Sequence, residues 1–248
     1  TSGTAVAETA QQKGLRIATE ADVRDSGWGD STADMVMTLR NRTGKSSSRS
    51  IRTKTLEGRG DGDKALSLFD TPADVKGTAM LTFSHGLKPD DQWLYLPALK
   101  RVKKINSRNK SGPFLSSEFA FEDLTAQEVE KFSYRYLGSA PCSLGECYRV
   151  ERTPLDAFSG YSVQHVSVDT EHLRLATIEY FDRRGDLLKT LQSSDFQQYQ
   201  DRFWRASLML MTNHQSGKST ELRWRDFRFA TGLSAQRDFS TNALQRAR

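Results

Sequence analysis

The chain has 248 residues, of which 36% are hydrophobic and 10% aromatic, enough to bury a substantial core, so a largely disordered chain is excluded. Its 36 Lys and Arg against 31 Asp and Glu leave a formal net charge of +5, a modest excess that permits phospholipid headgroups, nucleic acid or acidic partners without choosing among them. No apolar run approaches the roughly 18 residues a transmembrane helix needs, and the opening TSGTAVAETAQQ is small and polar, like the region after a signal-peptide cleavage site, so a removed signal peptide is the expectation.

In chain order, Val6, Ala10, Gly14, Ile17 and Ala21 recur at three-to-four spacing and predict an amphipathic helix over about residues 5–21, lying across the face or mouth of a sheet. Strands are predicted next over 33–40, with Met35, Met37 and Leu39 on one face, then over 48–57, 65–69 and 78–84. Short polar turns between them imply an antiparallel meander. The GRGDGDK turn lacks the ligand spacing and terminal Glu of an EF-hand loop. In DQWLYLPALKRVKKIN, Asp91 to Asn106, alternation sends Trp93 and Tyr95 to one face and Leu94 and Leu96 to the other. A strand apolar on both sides needs cover on both sides, or a cavity on one. Pro97 ends the ladder, and Lys100, Arg101, Lys103 and Lys104 follow as a cationic turn.

Residues 106–132 lose the period of two. Ser and Thr there can cap short helices, and Thr125-Ala126-Gln127-Glu128 spells a capping box opening a helix over 126–132. A helical insertion over about 107–132 is therefore expected, either as a lid whose inner surface is Phe114, Leu115, Phe119 and Phe121 or as a plug for one end of the sheet. Strands then resume over 132–138, 147–151, 161–168, 173–182, 187–198, 203–212 and 219–230, with hairpin turns at Arg183–Asp186 and His214–Lys218. Leu222 and Trp224 share one face while Phe227 and Phe229 share the other, which predicts a bulge near Asp226. Cys142 and Cys147, the only cysteines, flank a tight turn and read most simply as a disulfide staple, with two free thiols as the alternative. Nothing divides the chain, so residues 1–248 are expected to form a single domain.

Chemistry-bearing patterns are missing. His85, His165, His172 and His214 are scattered without metal-ligand spacing, and there is no GxSxG elbow, Walker loop or GxGxxG. Neither an enzyme nor a metal or cofactor site is expected. The basic run Lys100–Lys110 comes with no recognition helix, RRM or zinc-finger pattern, so nucleic acid is not the expected partner.

Four separated segments carry a resemblance: Asp91–Asn106, GPFLSSEFAFEDL at Gly112–Leu124, YFDRRGDLLKT at Tyr180–Thr190 and WRASLMLMTNHQSGKSTELRW at Trp204–Trp224. In this order the chain, from about Ala10 onward, resembles the LolA-like periplasmic outer-membrane lipoprotein-sorting proteins. The resemblance implies a mainly β (α+β) fold, a strongly curved, unclosed antiparallel β-barrel with helices covering the concave face and a hydrophobic cavity between. It implies a periplasmic carrier or transporter accessory for acyl chains of a lipid or lipoprotein, with peripheral membrane contact and an inner-membrane transporter of the RND or MMPL type as partner. A module that docks on such an exporter or an envelope complex, its interior filled by its own side chains, is the alternative. The expected cavity wall comprises Met35, Met37, Trp93, Tyr95, Phe114, Leu115, Phe119, Phe121, Met209 and Met211, flexible methionines suiting cargo of variable shape. Lys100, Arg101, Lys103 and Lys104 are the expected rim for anionic headgroups.

Overall fold

The computed structural model describes residues 7–246. Among the described residues, thirteen strands form one antiparallel sheet: β1 Asp30–Arg40, β2 Ser46–Leu56, β3 Lys64–Thr71, β4 Ala79–Phe83, β5 Asp91–Leu96, β6 Arg101–Lys104, β7 Phe132–Cys142, β8 Gly145–Pro154, β9 Tyr161–Asp169, β10 Leu175–Asp182, β11 Leu187–Tyr199, β12 Phe203–Asn213 and β13 Ser219–Phe229. The spatial order is β6-β5-β4-β3-β2-β1-β13-β12-β11-β10-β9-β8-β7. Two consecutive meanders are thus fused through the first and last strands, and the free edges, β6 and β7, are neighbours in sequence. The segment linking them crosses the gap between the edges, where Lys131 Nζ donates to Asp90 Oδ1 at 2.8 Å.

Register separates two faces. Met35 pairs with Ile51 and with Trp224, Ile51 with Phe69, and Met209 with both Ser193 and Leu222, so these residues share the inner face. Met35, Met37, Ile51, Phe69, Met80, Phe114, Phe119, Ile178, Tyr180, Leu191, Met211 and Leu222 belong to one buried cluster. Residues from both halves of the sheet meet there because the sheet bends around them. Asp226 has φ +55°, and the β1–β13 register jumps there, from Thr32↔Arg228 to Asp34↔Arg225. The expected bulge is present, and its extra residue returns Phe227 to the inner face.

Among the described residues, three α-helices accompany the sheet. Helix α1 runs Ala10–Arg24, with Thr9 and Gln12 forming a capping box and Gly14 and Ile17 buried. It thus starts later and ends later than periodicity predicted; Ala5 and Val6 lie outside the described residues. Gly14 permits a close approach to β7, since a Cβ there would stand 2.9 Å from the Tyr136 amide nitrogen. Ile17 packs with Val150, Val168 and Leu173. The C-terminal helices α2 (Ala235–Asp238) and α3 (Thr241–Arg246) lie on the outer face, where Phe239 and Leu244 pack on Leu66, Leu68, Ala79 and Leu81. Among the described residues, α1 is the helix that contributes to the cavity described below, through Ala21, Val23 and Arg24.

That insertion corrects the helical expectation. It contains only 3-10 turns, Ser107–Asn109, Phe121–Leu124 and Val129–Lys131. Thr125 does not open a helix because tertiary partners take the local bonds: the Ser84 hydroxyl accepts from the Ala126 amide at 2.8 Å, and Lys131 Nζ donates to the Ala126 carbonyl at 2.8 Å. The cationic turn also differs in form, since residues 101–104 pair with β5 as the short edge strand β6. Cys142 and Cys147 are disulfide-bonded with a Cα separation of 5.8 Å, closing the β7–β8 hairpin.

Candidate functional site

The bend of the sheet encloses a cavity of about 1050 Å³, at the upper end of the size of small-molecule sites. Its wall is graded along the strands. At one end stand Met35, Met37, Ile51, Met80, Phe114, Phe119, Ile178, Leu191 and Leu222, mostly buried side chains without charge. At the other stand Arg24, Asp25, Trp28, Gln198, Asp201, Arg202, Trp204, Arg205 and Phe227, several of them exposed. β11 shows the change within one strand: Leu191, then Ser193, then Phe196 and Gln198 all line the space. Ser193 is 2% exposed, and its hydroxyl has no hydrogen-bond partner among the described residues. Buried hydroxyls are seldom left so.

The apolar end is closed by the insertion. Residues 113–120 fold back on themselves, the Phe114 amide donating to the Phe119 carbonyl at 2.7 Å. Arg49 Nη1 of β2 holds the Leu115 carbonyl at 2.7 Å, the Thr220 hydroxyl of β13 accepts from the Glu118 amide at 2.9 Å, and Asn213 Nδ2 donates to Glu118 Oε2 at 2.7 Å. Lys189 Nζ donates to the Glu118 carbonyl at 2.9 Å and to Asp123 Oδ2 at 2.7 Å. Both charged side chains are about 95% buried, at 5% and 3% exposure. Asp123 also accepts from the Tyr161 hydroxyl at 2.8 Å and the Ala120 amide at 2.7 Å, and the Tyr161 and Tyr180 rings stand 5.2 Å from the ammonium. Burial, reinforced by the Asp123 charge, pushes both phenols well above their ordinary value, so they stay neutral. In β11–β13, the anchors Lys189, Asn213 and Thr220 sit at the strand ends opposite those that carry Gln198, Trp204 and Phe227. Of the two roles open to the insertion, residues 113–120 occupy the position of the plug.

The sequence-derived residues separate by face. Met35, Met37, Phe114, Phe119 and Met209 line the cavity; Met211 is wholly buried in the same cluster, and Leu115 and Phe121 pack against it. Trp93 and Tyr95 stand elsewhere. Their partners Leu81 and Ala79 face outward, so both rings lie under the C-terminal helices, with Trp93 edge-on to Phe83 at 5.2 Å. The strand is apolar on both sides because it is covered on both. Lys100, Arg101, Lys103 and Lys104 are exposed, and none lines the cavity. Lys104 is bound to Asp91 at 2.6 Å and lies 5.4 Å above the Trp93 ring.

The cavity's arginines come from other places in the chain: Arg24 at the end of α1, Arg174 just before β10, Arg202 and Arg205 at and just after the β11–β12 turn. Because they are scattered over the sequence, no run of basic residues announces them. Among the described residues, no cluster of three or more potential metal ligands occurs, and no helix is long and apolar enough to cross a membrane.

Known proteins share this architecture. A Vibrio parahaemolyticus structure named as an outer membrane lipoprotein-sorting protein domain is 53% identical, with a TM-score of 0.93 over 95% of this chain and 100% of that one. The chain belongs to the same family as this outer membrane lipoprotein-sorting protein domain. A DUF1329 family protein from Desulfovibrio piger is 30% identical (TM-score 0.89, covering 95% of this chain and 99% of that one). A LolA superfamily protein from Nitrosomonas europaea is 18% identical (TM-score 0.73, 95% and 99% covered) and shares the fold. A family model described as that of an uncharacterized protein matches residues 61–246. No curated protein matches the chain.

Proposed function

We propose that this family member is a periplasmic carrier that binds acyl chains of a lipid or lipoprotein in the cavity, for trafficking towards the outer membrane, without covalent catalysis. The observation that carries the reading is the cavity itself: about 1050 Å³ with a mainly apolar wall at its plugged end, where the lining Asp123 is paired with Lys189. Each methylene moved from water into such a wall contributes roughly 0.8 kcal/mol, so half a dozen supply about 5 kcal/mol. Met35, Met37, Met80 and Met209 give the wall side chains that adapt to variable tails. The Vibrio relative's name agrees with this role. A docking module filled by its own side chains fits such a space poorly. An RND- or MMPL-type transporter draws no support from the described residues, and acyl binding requires none.

Ala33 offers the test, because it lies on the cavity wall and is buried. Ala33→Trp places a ring where two or three methylenes of a tail would lie, a loss of roughly 2 kcal/mol, or about thirtyfold in affinity for an acyl probe. Melting temperature should hardly change, because the ring fills existing space. Unchanged probe affinity in a folded Ala33→Trp protein would overturn the assignment.

A further inference from the structure

We infer that the open end of the cavity is a recognition site for an anionic headgroup, so that the preferred cargo is an acidic amphiphile whose phosphate or carboxylate rests among Arg202, Arg24, Arg205 and Arg174 while its tail runs towards the plug. This rests on the acyl-binding reading and adds the class of head.

Three loops build the site. Asp25–Gly29 joins α1 to β1, the Gln200–Arg202 turn joins β11 to β12, and Thr170–Arg174 joins β9 to β10. Aromatic rings hold the guanidinium groups in place. Arg174 lies 4.8 Å over Trp204 and 5.4 Å over Phe196; Arg205 lies 5.9 Å from the Trp28 ring and 5.6 Å from Phe229; Arg202 lies 5.0 Å over Phe203. The His172 ring stands 5.0 Å from Trp204. Three of the four arginines are partly satisfied by the protein. Arg174 Nε donates to the buried Asp169 at 2.9 Å, and Arg205 Nη1 donates to Asp25 and, at 2.8 Å, to the Trp204 carbonyl. Arg24 is shared between Glu20 and the Glu171 carbonyl. Arg202 forms no ion pair with any described residue, although it stands on the cavity wall.

A planar guanidinium with unused donors, fixed on an aromatic ring, suits a phosphate or carboxylate oxygen. Asp25, Asp63 and Asp201 also line the space and would repel an anion. Asp25 is engaged by Arg205, and Asp63 accepts from the Gly58 amide at 2.9 Å. Between this end and the apolar end, the unpartnered Ser193 hydroxyl marks where the wall changes character. Trp28 and Trp204 at the same end have the amphipathic rings that suit a boundary between tail and head.

The test is displacement of the neutral probe N-phenylnaphthylamine from the full chain by amphiphiles with one dodecyl chain, each below its micelle threshold. Dodecyl phosphate and dodecanoate should displace it at about tenfold lower concentration than dodecyl maltoside, the scale of one charge-assisted hydrogen bond, and inorganic phosphate alone should not displace it. Arg202→Gln combined with Arg24→Gln should erase that preference while leaving dodecyl maltoside unchanged and the melting curve intact. Equal displacement by charged and neutral amphiphiles, a preference that survives the double substitution, or displacement by inorganic phosphate would each overturn the headgroup site with acyl binding still standing. Failure of every amphiphile to displace the probe would sink acyl binding itself.

Discussion

Replacing Lys189 should loosen the plug selectively. Its ammonium is the one group that joins β11 to the Glu118 carbonyl and to Asp123 together, and it is 95% buried at its Asp123 contact. Removing one member of a buried ion pair costs about 3–5 kcal/mol, chiefly because the other is left uncompensated. After Lys189→Met, Asp123 keeps the Tyr161 hydroxyl and the Ala120 amide as donors, which places the loss near about 3 kcal/mol, or a fall in Tm of roughly 6–12 °C for a chain of this size. Asp123→Leu leaves the ammonium with one carbonyl and two rings, so its loss should be larger. The double variant Lys189→Met with Asp123→Leu removes both charges and should recover much of the combined deficit. Calorimetry of the four proteins gives the coupling, and amide exchange of residues 112–125 should speed up in Lys189→Met more than that of β1 and β2. Losses that simply add in the double variant, or exchange that rises evenly through the sheet, would refute the latch.

The Cys142–Cys147 staple closes a short loop, so its reduction should cost about 2 kcal/mol; calorimetry with and without reductant reads this, and probe affinity should not move because neither cysteine lines the cavity. Trp93→Ala removes a half-buried ring from beneath the C-terminal helices, so it should cost roughly 2 kcal/mol of stability and leave acyl-probe affinity unchanged in the folded protein; weakened binding would return Trp93 to the groove. Burial alone would raise the Asp169 carboxyl, but the bond from Arg174 and the amides of His172 and Arg174 outweigh it and hold it below the usual aspartate value. Its stabilisation is therefore present above the ordinary aspartate range and lost as pH falls through the lowered value. Asp169→Asn should lower Tm at neutral pH and flatten its acid limb, read as Tm against pH from about 5 to 2; an unchanged slope would show that Asp169 does not contribute.

Strands were legible where side chains alternate between a buried and a solvated face, as in Ala33–Arg40, and the Asp226 bulge was legible because two apolar pairs fell on opposite parities. The edge strand β6 was hidden by its lysines, which suit an edge but spell a turn. Helices α2 and α3 carry no strong periodicity; Phe239 and Leu244 order them through seats on Leu66 and Leu81 that no local pattern displays. Thr125 to Glu128 spelled a capping box, yet Ser84 and Lys131, distant or side-chain partners, took its backbone groups. For the site, the inward methionines and the Phe114 and Phe119 pair followed from periodicity and its absence. Its arginines did not, because positions 24, 174, 202 and 205 converge only when the sheet bends, whereas Lys100 to Lys104 are contiguous in sequence and drew attention to the outer edge.

Native mass spectrometry of the protein isolated from the periplasm of a Gram-negative host, with analysis of its organic extract, tests acyl binding most directly. A population heavier than the bare chain by one acyl-bearing lipid is expected, which the extract identifies and which Ala33→Trp removes. Bare mass alone, with an extract free of acyl lipid both at isolation and after incubation with lipid vesicles, would contradict it.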